Sequence, residues 1–185
     1  MNKLVSVIAL GFFVVVSYSA NCQRYMDKAG HAYFSSKAPL ENIEAHNRQA
    51  LSILDLKSGD IAVSVLMKSF QFEKALMQEH FNENYVESDK YPKAQFKGKV
   101  AGIEKIDLTK DATHTLDVSG EITIHGETKP VQTKAELTVS KGNLSGKSNF
   151  TLPVKDFKIE IPKIVVNNIA ETVDVLVEFQ YQPAK

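Results

Sequence analysis

"THTLDVSGEITIHGETKPVQTKAELTVSKGN", Thr113 to Asn143, decides the fold. Leu116, Val118, Ile122 and Ile124 fall on one face with Gly120 between them, and polar residues take the other face. After "HGET", Val131, Ala135, Leu137 and Val139 repeat the pattern, with Thr133 among them. A period of two is the mark of a strand with one buried face. "HGET" predicts a hairpin connection in which Gly126 is free to take a positive φ, and "KGN" turns the chain again.

The same period runs outward from this stretch. "LSGKSNFTL" offers Leu144, Gly146, Ser148, Phe150 and Leu152; "FKIEIP" offers Phe157, Ile159 and Ile161; "ETVDVLVEFQYQ" offers Val173, Val175, Val177, Phe179 and Tyr181. Upstream, "LSILDLKSGDIAVSVLMKSFQF" predicts two strands around a turn at Lys57–Asp60. "QRYMDKAGHAYFSS" predicts short strand-like runs on both sides of a turn at Lys28–Gly30, and "KAPLENIEAHNRQA" reads as irregular. Only "FEKALMQEHFNENY" changes period: Phe72, Leu76 and Phe81, with Met77 and His80 near them, predict one helical face.

Short turns between strands favour antiparallel neighbours, each with one apolar face. The expected class is all-β with one short helix: an eight-stranded antiparallel up-and-down β-barrel, lipocalin-like, which leaves no open edge. A two-sheet sandwich is the rival. The chain has no tryptophan and one cysteine, so the markers of an immunoglobulin-type sandwich are missing.

The N-terminus has another purpose. Lys3 precedes an apolar run, "LVSVIALGFFVVVS", and small and polar residues follow in "YSANC". This is the layout of a secretory signal peptide over residues 1–22, too short to span a membrane comfortably. Residues 23–185 then form the barrel domain, and the expected location is periplasmic or extracellular. Cys22, the single cysteine, is the alternative: a lipidated anchor, although Asn21 directly before it departs from the usual pattern. With at most one cysteine no intrachain disulfide can form, and core burial must hold the fold. Basic and acidic residues are equal at 22 each in the 185-residue chain, so nothing in the charge favours a nucleic-acid partner. No stable membrane insertion is expected, and the sequence leaves open whether two barrels pair as a homodimer.

Catalytic patterns are weak. Among His31, His46, His80, His114 and His125, only His80 and Glu83 have ligand-like helical spacing, and a metal site needs three or four converging donors. No G-x-S-x-G occurs, and "GKS" at Gly146–Ser148 lacks the earlier glycine of a phosphate loop. Carboxylates in "NENYVESD" have nothing to fix their separation. The expectation is a protein that is neither an enzyme nor a metalloprotein. An enzyme or metal protein built on the helix and the following loop is a further reading, and it predicts that His80, Glu83 and Glu87 converge on one point.

The inward side chains are mostly small or medium: Val, Ala, Thr, Gly and Ser, with a few Leu, Ile and Phe. Such residues on long strands leave volume near a barrel axis, which suits an apolar guest. A packed core is the plainer alternative. The candidate ligand-binding residues are Leu116, Val118, Ile122, Leu137, Val139, Phe150, Val175, Val177 and Phe179 on strands, with Met77 and Phe81 on the helix.

Two blocks carry a resemblance. The first is "SFQFEKALMQEHFNENYVESDKYPKAQFKGKV", with Ser69, Phe70, Asp89, Tyr91, Pro92 and Phe96 at its marked positions. The second is "VSGEITIHGETKPV", with Gly120, Ile122, Thr123, Ile124, Gly126, Thr128, Lys129 and Val131. In that order they resemble the YceI-like family of secreted bacterial proteins. The resemblance implies a lipocalin-like barrel whose apolar pore holds a polyisoprenoid chain, such as an isoprenoid quinone or a polyprenyl lipid, with no catalysis. Cofactors are none beyond that lipid, and some members are tied to stress responses. In "PVKDFKIEIP", Lys155 stands near a position where the family often has Arg, and Lys158 where glycine is common. The resulting expectation is a secreted carrier of an apolar chain, with a non-catalytic stress or interaction module built on a packed barrel as the alternative. The helix and the link after it are expected at a barrel mouth.

Overall fold

The structure is a computed structural model that describes residues 24–161 and 169–184. The leader expected over residues 1–22 lies outside the described residues. The described residues form nine strands: β1 (Arg24–Lys37), β2 (Asn42–Asp55), β3 (Asp60–Leu66), the two-residue β4 (Gln71–Phe72), β5 (Lys93–Val100), β6 (Ala112–Ile124), β7 (Glu127–Ser140), β8 (Asn143–Pro153) and β9 (Thr172–Pro183). One α-helix, α1 (Ala75–His80), runs directly into a π-helical turn at Phe81–Tyr85.

All pairings are antiparallel, in the order β1-β9-β8-β7-β6-β5-β3-β2, and β1 also pairs with β2. That last pairing closes eight strands into a barrel. β4 is a short patch added to β2 through Ala45↔Phe72 and His46↔Gln71. Among the described residues no helix is long and apolar enough to cross a membrane.

The β6–β7 hairpin follows the pattern read from it. Thirteen residue pairs run from Ala112↔Val139 to Ile124↔Glu127, and the turn is His125–Gly126, both with positive φ. Two expectations upstream need correction. Lys28–Gly30 is not a turn: β1 continues through it with a bulge, where the Gln180 amide donates to Asp27 Oδ2 at 2.7 Å. "NIEAHNRQA" is not irregular but the first part of β2, because its buried positions Ala45, Asn47 and Ala50 are small or polar and give no apolar alternation. Asn47 is fully buried and satisfied: its amide donates to Leu66 O at 2.8 Å and its Oδ1 accepts from the Gln49 amide at 2.8 Å.

"FKIEIP" is corrected too. Val154–Phe157 forms a 3-10 turn and Lys158 follows in the left-handed region at φ 53°, which breaks the strand. A glycine there would be unstrained. The lysine instead reaches Glu127 at 2.7 Å, and that ion pair holds the Glu127 carboxyl below the usual carboxylate range.

The barrel has two unlike ends. The lower end carries the β2–β3 turn, the β5–β6 connection, the β7–β8 turn and the described chain ends. It is closed by apolar packing: Ile103, Val139 and Leu144 are almost completely buried, and Ile106 and Leu108 pack against the same core. Tyr181 lies across this end with its hydroxyl 2.8 Å from Ser52 Oγ. Burial pushes that hydroxyl far above the ordinary tyrosine range, so it stays neutral and hydrogen-bonded. The upper end carries the β1–β2 turn, the long β3–β5 connection with α1, the turn of the β6–β7 hairpin, and the end of β8 with the start of β9.

Inside, Gly98 and Gly120 face each other across β5 and β6. A Cβ at Gly120 would stand 2.3 Å from Lys97 O and 2.8 Å from Phe96 Cζ, so the Phe96 ring lies over bare backbone. Glycine here permits close approach within a strand.

Two predictions follow from these contacts. Tyr181→Phe strands a buried serine hydroxyl and is expected to cost about 1–2 kcal/mol in urea unfolding. The double variant Tyr181→Phe/Ser52→Ala should cost less than the sum of the two single changes, which a double-mutant cycle measures. Glu178 gives a pH test. The hydrogen bond from His31, with Lys147 adding to it and burial opposing, holds its carboxyl below the ordinary value of 4.5. A depressed carboxyl stabilises the fold above its unfolded value, and that contribution is lost as pH falls through the folded one. Glu178→Gln should therefore lower the urea midpoint at neutral pH and flatten its decline below pH 4.5, relative to the parent.

Candidate ligand-binding site

Above the Tyr181 floor the barrel axis is open. A cavity of about 410 Å³, bounded almost wholly by carbon atoms, runs from there to the upper end. The wall is built from inward positions of all eight barrel strands. Val118, Ile122, Leu137, Phe150, Val175, Val177 and Phe179 line it, with smaller neighbours at Ala32, Ala94, Ala135 and Gly146. Gly146 lets Leu137 and the Tyr181 ring approach closely, since a Cβ there would meet both at 3.1 Å. Phe157, Ile159 and Ile161 line the cavity even though they do not form a strand.

Of the eleven candidate residues, Leu116 and Val139 do not line the cavity. Each sits one inward position closer to the lower end than a lining neighbour: Leu116 beyond Val118, and Val139 beyond Leu137. Val139 is almost completely buried at the lower end, and Leu116 is half-buried against the same core. Alternation tells which face a residue takes, but not its depth along the axis.

The upper end is capped by the β3–β5 connection. Met77, His80, Phe81, Tyr85 and Val86 all border the cavity. Phe81 lies at the centre of an aromatic cluster, stacked on Phe34 at 5.5 Å between centroids and close to Phe70 at 5.7 Å and Phe72 at 5.0 Å. Aromatic pairs of this kind are worth about 0.5–1.5 kcal/mol each beyond their area. The wide π turn, closed by the Val86 amide on Phe81 O at 3.0 Å, keeps Phe81, Tyr85 and Val86 directed at the cavity. Leu76 is not on this face, being 60% exposed. An ion pair from Lys74 to Glu41 at 2.7 Å ties the start of α1 to the β1–β2 turn.

The two sequence blocks that carry the resemblance meet at this end. The Tyr91 ring packs so closely on Gly126 that a Cβ there would stand 2.7 Å from Tyr91 Cε1, and it meets the His125 ring edge-on at 4.6 Å. His125 Nε2 bonds Glu87 Oε2 at 2.7 Å, and its Nδ1 bonds Phe157 O at 3.0 Å. One histidine thus links the cap, the β6–β7 hairpin and the segment after β8. Glu87 is spent on this contact and does not converge with His80 and Glu83. Among the described residues no group of three or more His, Cys, Asp or Glu side chains is placed to hold a metal ion.

Comparison with known proteins agrees with this architecture. The model of the YceI-like domain matches residues 30–181. A UPF0312 protein of Vibrio cholerae serotype O1 (strain ATCC 39315 / El Tor Inaba N16961) is 23% identical over 178 residues, covering 87% of this chain and 90% of that protein. Among solved structures, a polyisoprenoid-binding domain from Saccharophagus degradans, implicated in plant cell wall breakdown, superposes with a TM-score of 0.73. It is 14% identical, and the match covers 88% of this chain and 99% of that one. BcnA of Burkholderia cenocepacia gives a TM-score of 0.66 at 15% identity, over 83% and 96% of the two chains. With a family match spanning most of its length and the two signature blocks packed against each other at the barrel's upper end, this chain belongs to the YceI-like domain family.

Proposed function

We propose that this protein is a secreted, non-catalytic binding protein that holds an apolar chain, an isoprenoid quinone or a polyprenyl-type lipid, inside its barrel. The observation that carries this is the cavity itself. Its volume of about 410 Å³ lies in the range of small-molecule sites, and its lining offers carbon surface to a guest and few polar partners. A site of that kind favours an apolar chain over a polar metabolite, because a buried polar group without a partner is costly. The Saccharophagus degradans relative, described as a polyisoprenoid-binding domain, supports the choice of lipid. The apolar N-terminal run after Lys3 supports export to the periplasm or the exterior. The alternative, an interaction module with a packed barrel, requires a filled axis, and the open axis weighs against it.

Organic extraction of the natively purified protein, followed by mass spectrometry, is expected to release an isoprenoid lipid. A clean extract, together with no uptake of added polyprenol or quinone, would overturn the proposal. Filling the cavity gives a second test. Ala135 lines the wall opposite Ser148 and Leu116 in register. Ala135→Trp should weaken uptake of a polyprenyl probe by about tenfold or more, or roughly 1.4 kcal/mol, while the unfolding midpoint stays near the parent's. Equal uptake by the folded variant would count against the barrel interior as the site.

A further inference from the structure

Two junctions of the barrel wall lose their ladders toward the upper end. Between β2 and β3, pairing covers only Leu51–Leu54 with Ile61–Ser64. The space above is filled: Asn47 reaches Leu66 O, β4 pairs with β2, and Phe70 and Phe81 pack behind it. Between β7 and β8, pairing stops at Ala135↔Ser148, although β7 begins at Glu127 and β8 runs on to Pro153. Above that point β7 is held from its other side by β6 and β8 by β9. Among the described residues no strand fills this second gap.

The gap is finished by side chains. At its apex the Ser148 hydroxyl donates to Lys134 O at 2.8 Å and the Thr133 hydroxyl to Asn149 O at 3.1 Å, taking the place of ladder bonds. Above them lies a cleft with Lys129, Gln132, Asn149 and Asp156 on its walls. Val131, Phe150 and Phe157 line this cleft and the barrel cavity alike, so the two are neighbours through a shared apolar wall. Pro130 and Pro153, one on each lip, lack an amide donor, as is usual on edges that do not recruit a further strand. The cleft thus combines polar side chains with a thin apolar wall, Val131, Phe150 and the buried Phe157, whose other side faces the carbon-lined interior; side chains rather than a backbone ladder must part for a chain to pass. Lys129 and Asp156 bring opposite charges, which suits an uncharged, hydrogen-bonding group such as an alcohol or a quinone carbonyl better than a strongly anionic one.

We propose that this slit between β7 and β8 is the lateral opening through which the apolar tail of an amphiphile passes into the barrel, and in which its polar end stays. The inference rests on the cavity being a lipid site. Two polyprenol probes test it, one with a photoreactive diazirine at the alcohol end and one at the far end of the tail. Each is loaded into the full mature protein, irradiated and located by peptide mass spectrometry. The alcohol-end probe is expected to label residues 129–133 and 149–153, and the tail-end probe the interior wall. Labelling of the cap residues Met77 and Phe81 by the alcohol-end probe would overturn the proposal.

Passage is tested with Gln132→Cys/Thr151→Cys in a Cys22→Ser background. Positions 132 and 151 line the cleft but not the cavity. Joining them with a short bis-maleimide should slow polyprenol uptake by about tenfold or more relative to the same variant unlinked. Equal rates overturn the lateral route while leaving the lipid reading intact. Failure of the parent protein to take up either probe would remove the lipid reading, and this inference with it.

Discussion

Eight antiparallel strands joined edge to edge enclose a nearly fixed diameter, and their inward side chains must either fill it or leave it open. In this chain both outcomes occur at different depths. Ile103, Val139, Leu144 and the Tyr181 ring fill the lower end. Higher up the inward positions shrink to Ala32, Ala94, Ala135 and Gly146, and the axis stays open. The buried Tyr181–Ser52 hydrogen bond lies at the boundary. It lets a large aromatic ring serve as a floor without leaving a polar atom unsatisfied. An open apolar axis costs stability when empty, and it is kept here behind a cap whose packing is itself extensive.

That cap shows why one helical period in an all-β chain is informative. The β3–β5 connection is long because it crosses the upper end and fills the wall where β2 and β3 part. Its aromatic cluster joins β1, β4 and the π turn, and His125 fastens its far end to two other loops. Tyr91 and Gly126, one from each block that carries the resemblance, are coupled mechanically: the tyrosine ring rests where any side chain on residue 126 would have to stand. The two blocks that carry the resemblance thus meet as a junction between loops.

Much of the fold was legible because one-sided burial writes itself as alternation. The stretch from Thr113 to Asn143 gave two strands, their hairpin and their inward faces. Three things were not legible, each for a physical cause. Strand β2 buries Ala45, Asn47 and Ala50, so its inner face has no apolar signal. Phe157, Ile159 and Ile161 alternate like a strand, yet Lys158 turns left-handed between them, and a lysine gives no hint of positive φ. Leu116 and Val139 share the correct face but do not reach the cavity, because depth along a barrel depends on register, which is not periodic.

The slit between β7 and β8 was also hidden, and for the opposite reason. Both strands alternate without interruption past Ala135 and Ser148, so each looks fully paired when read alone. Pairing is a property of two segments, and here each upper half is satisfied on one side only, by β6 or by β9. The same split at β2–β3 is covered by the chain's own cap, whereas here the hydroxyls of Thr133 and Ser148 close the apex and the Val154–Phe157 turn packs on both strands above it without restoring a ladder. A barrel with a plugged floor, a stitched cap and one parted seam has its least constrained route through that seam. Opening the cap would mean separating the Phe34–Phe81 cluster, the Lys74–Glu41 pair and the His125–Glu87 link, whereas the seam is crossed above its apex by the His125–Phe157 and Lys158–Glu127 contacts and has no backbone ladder to break.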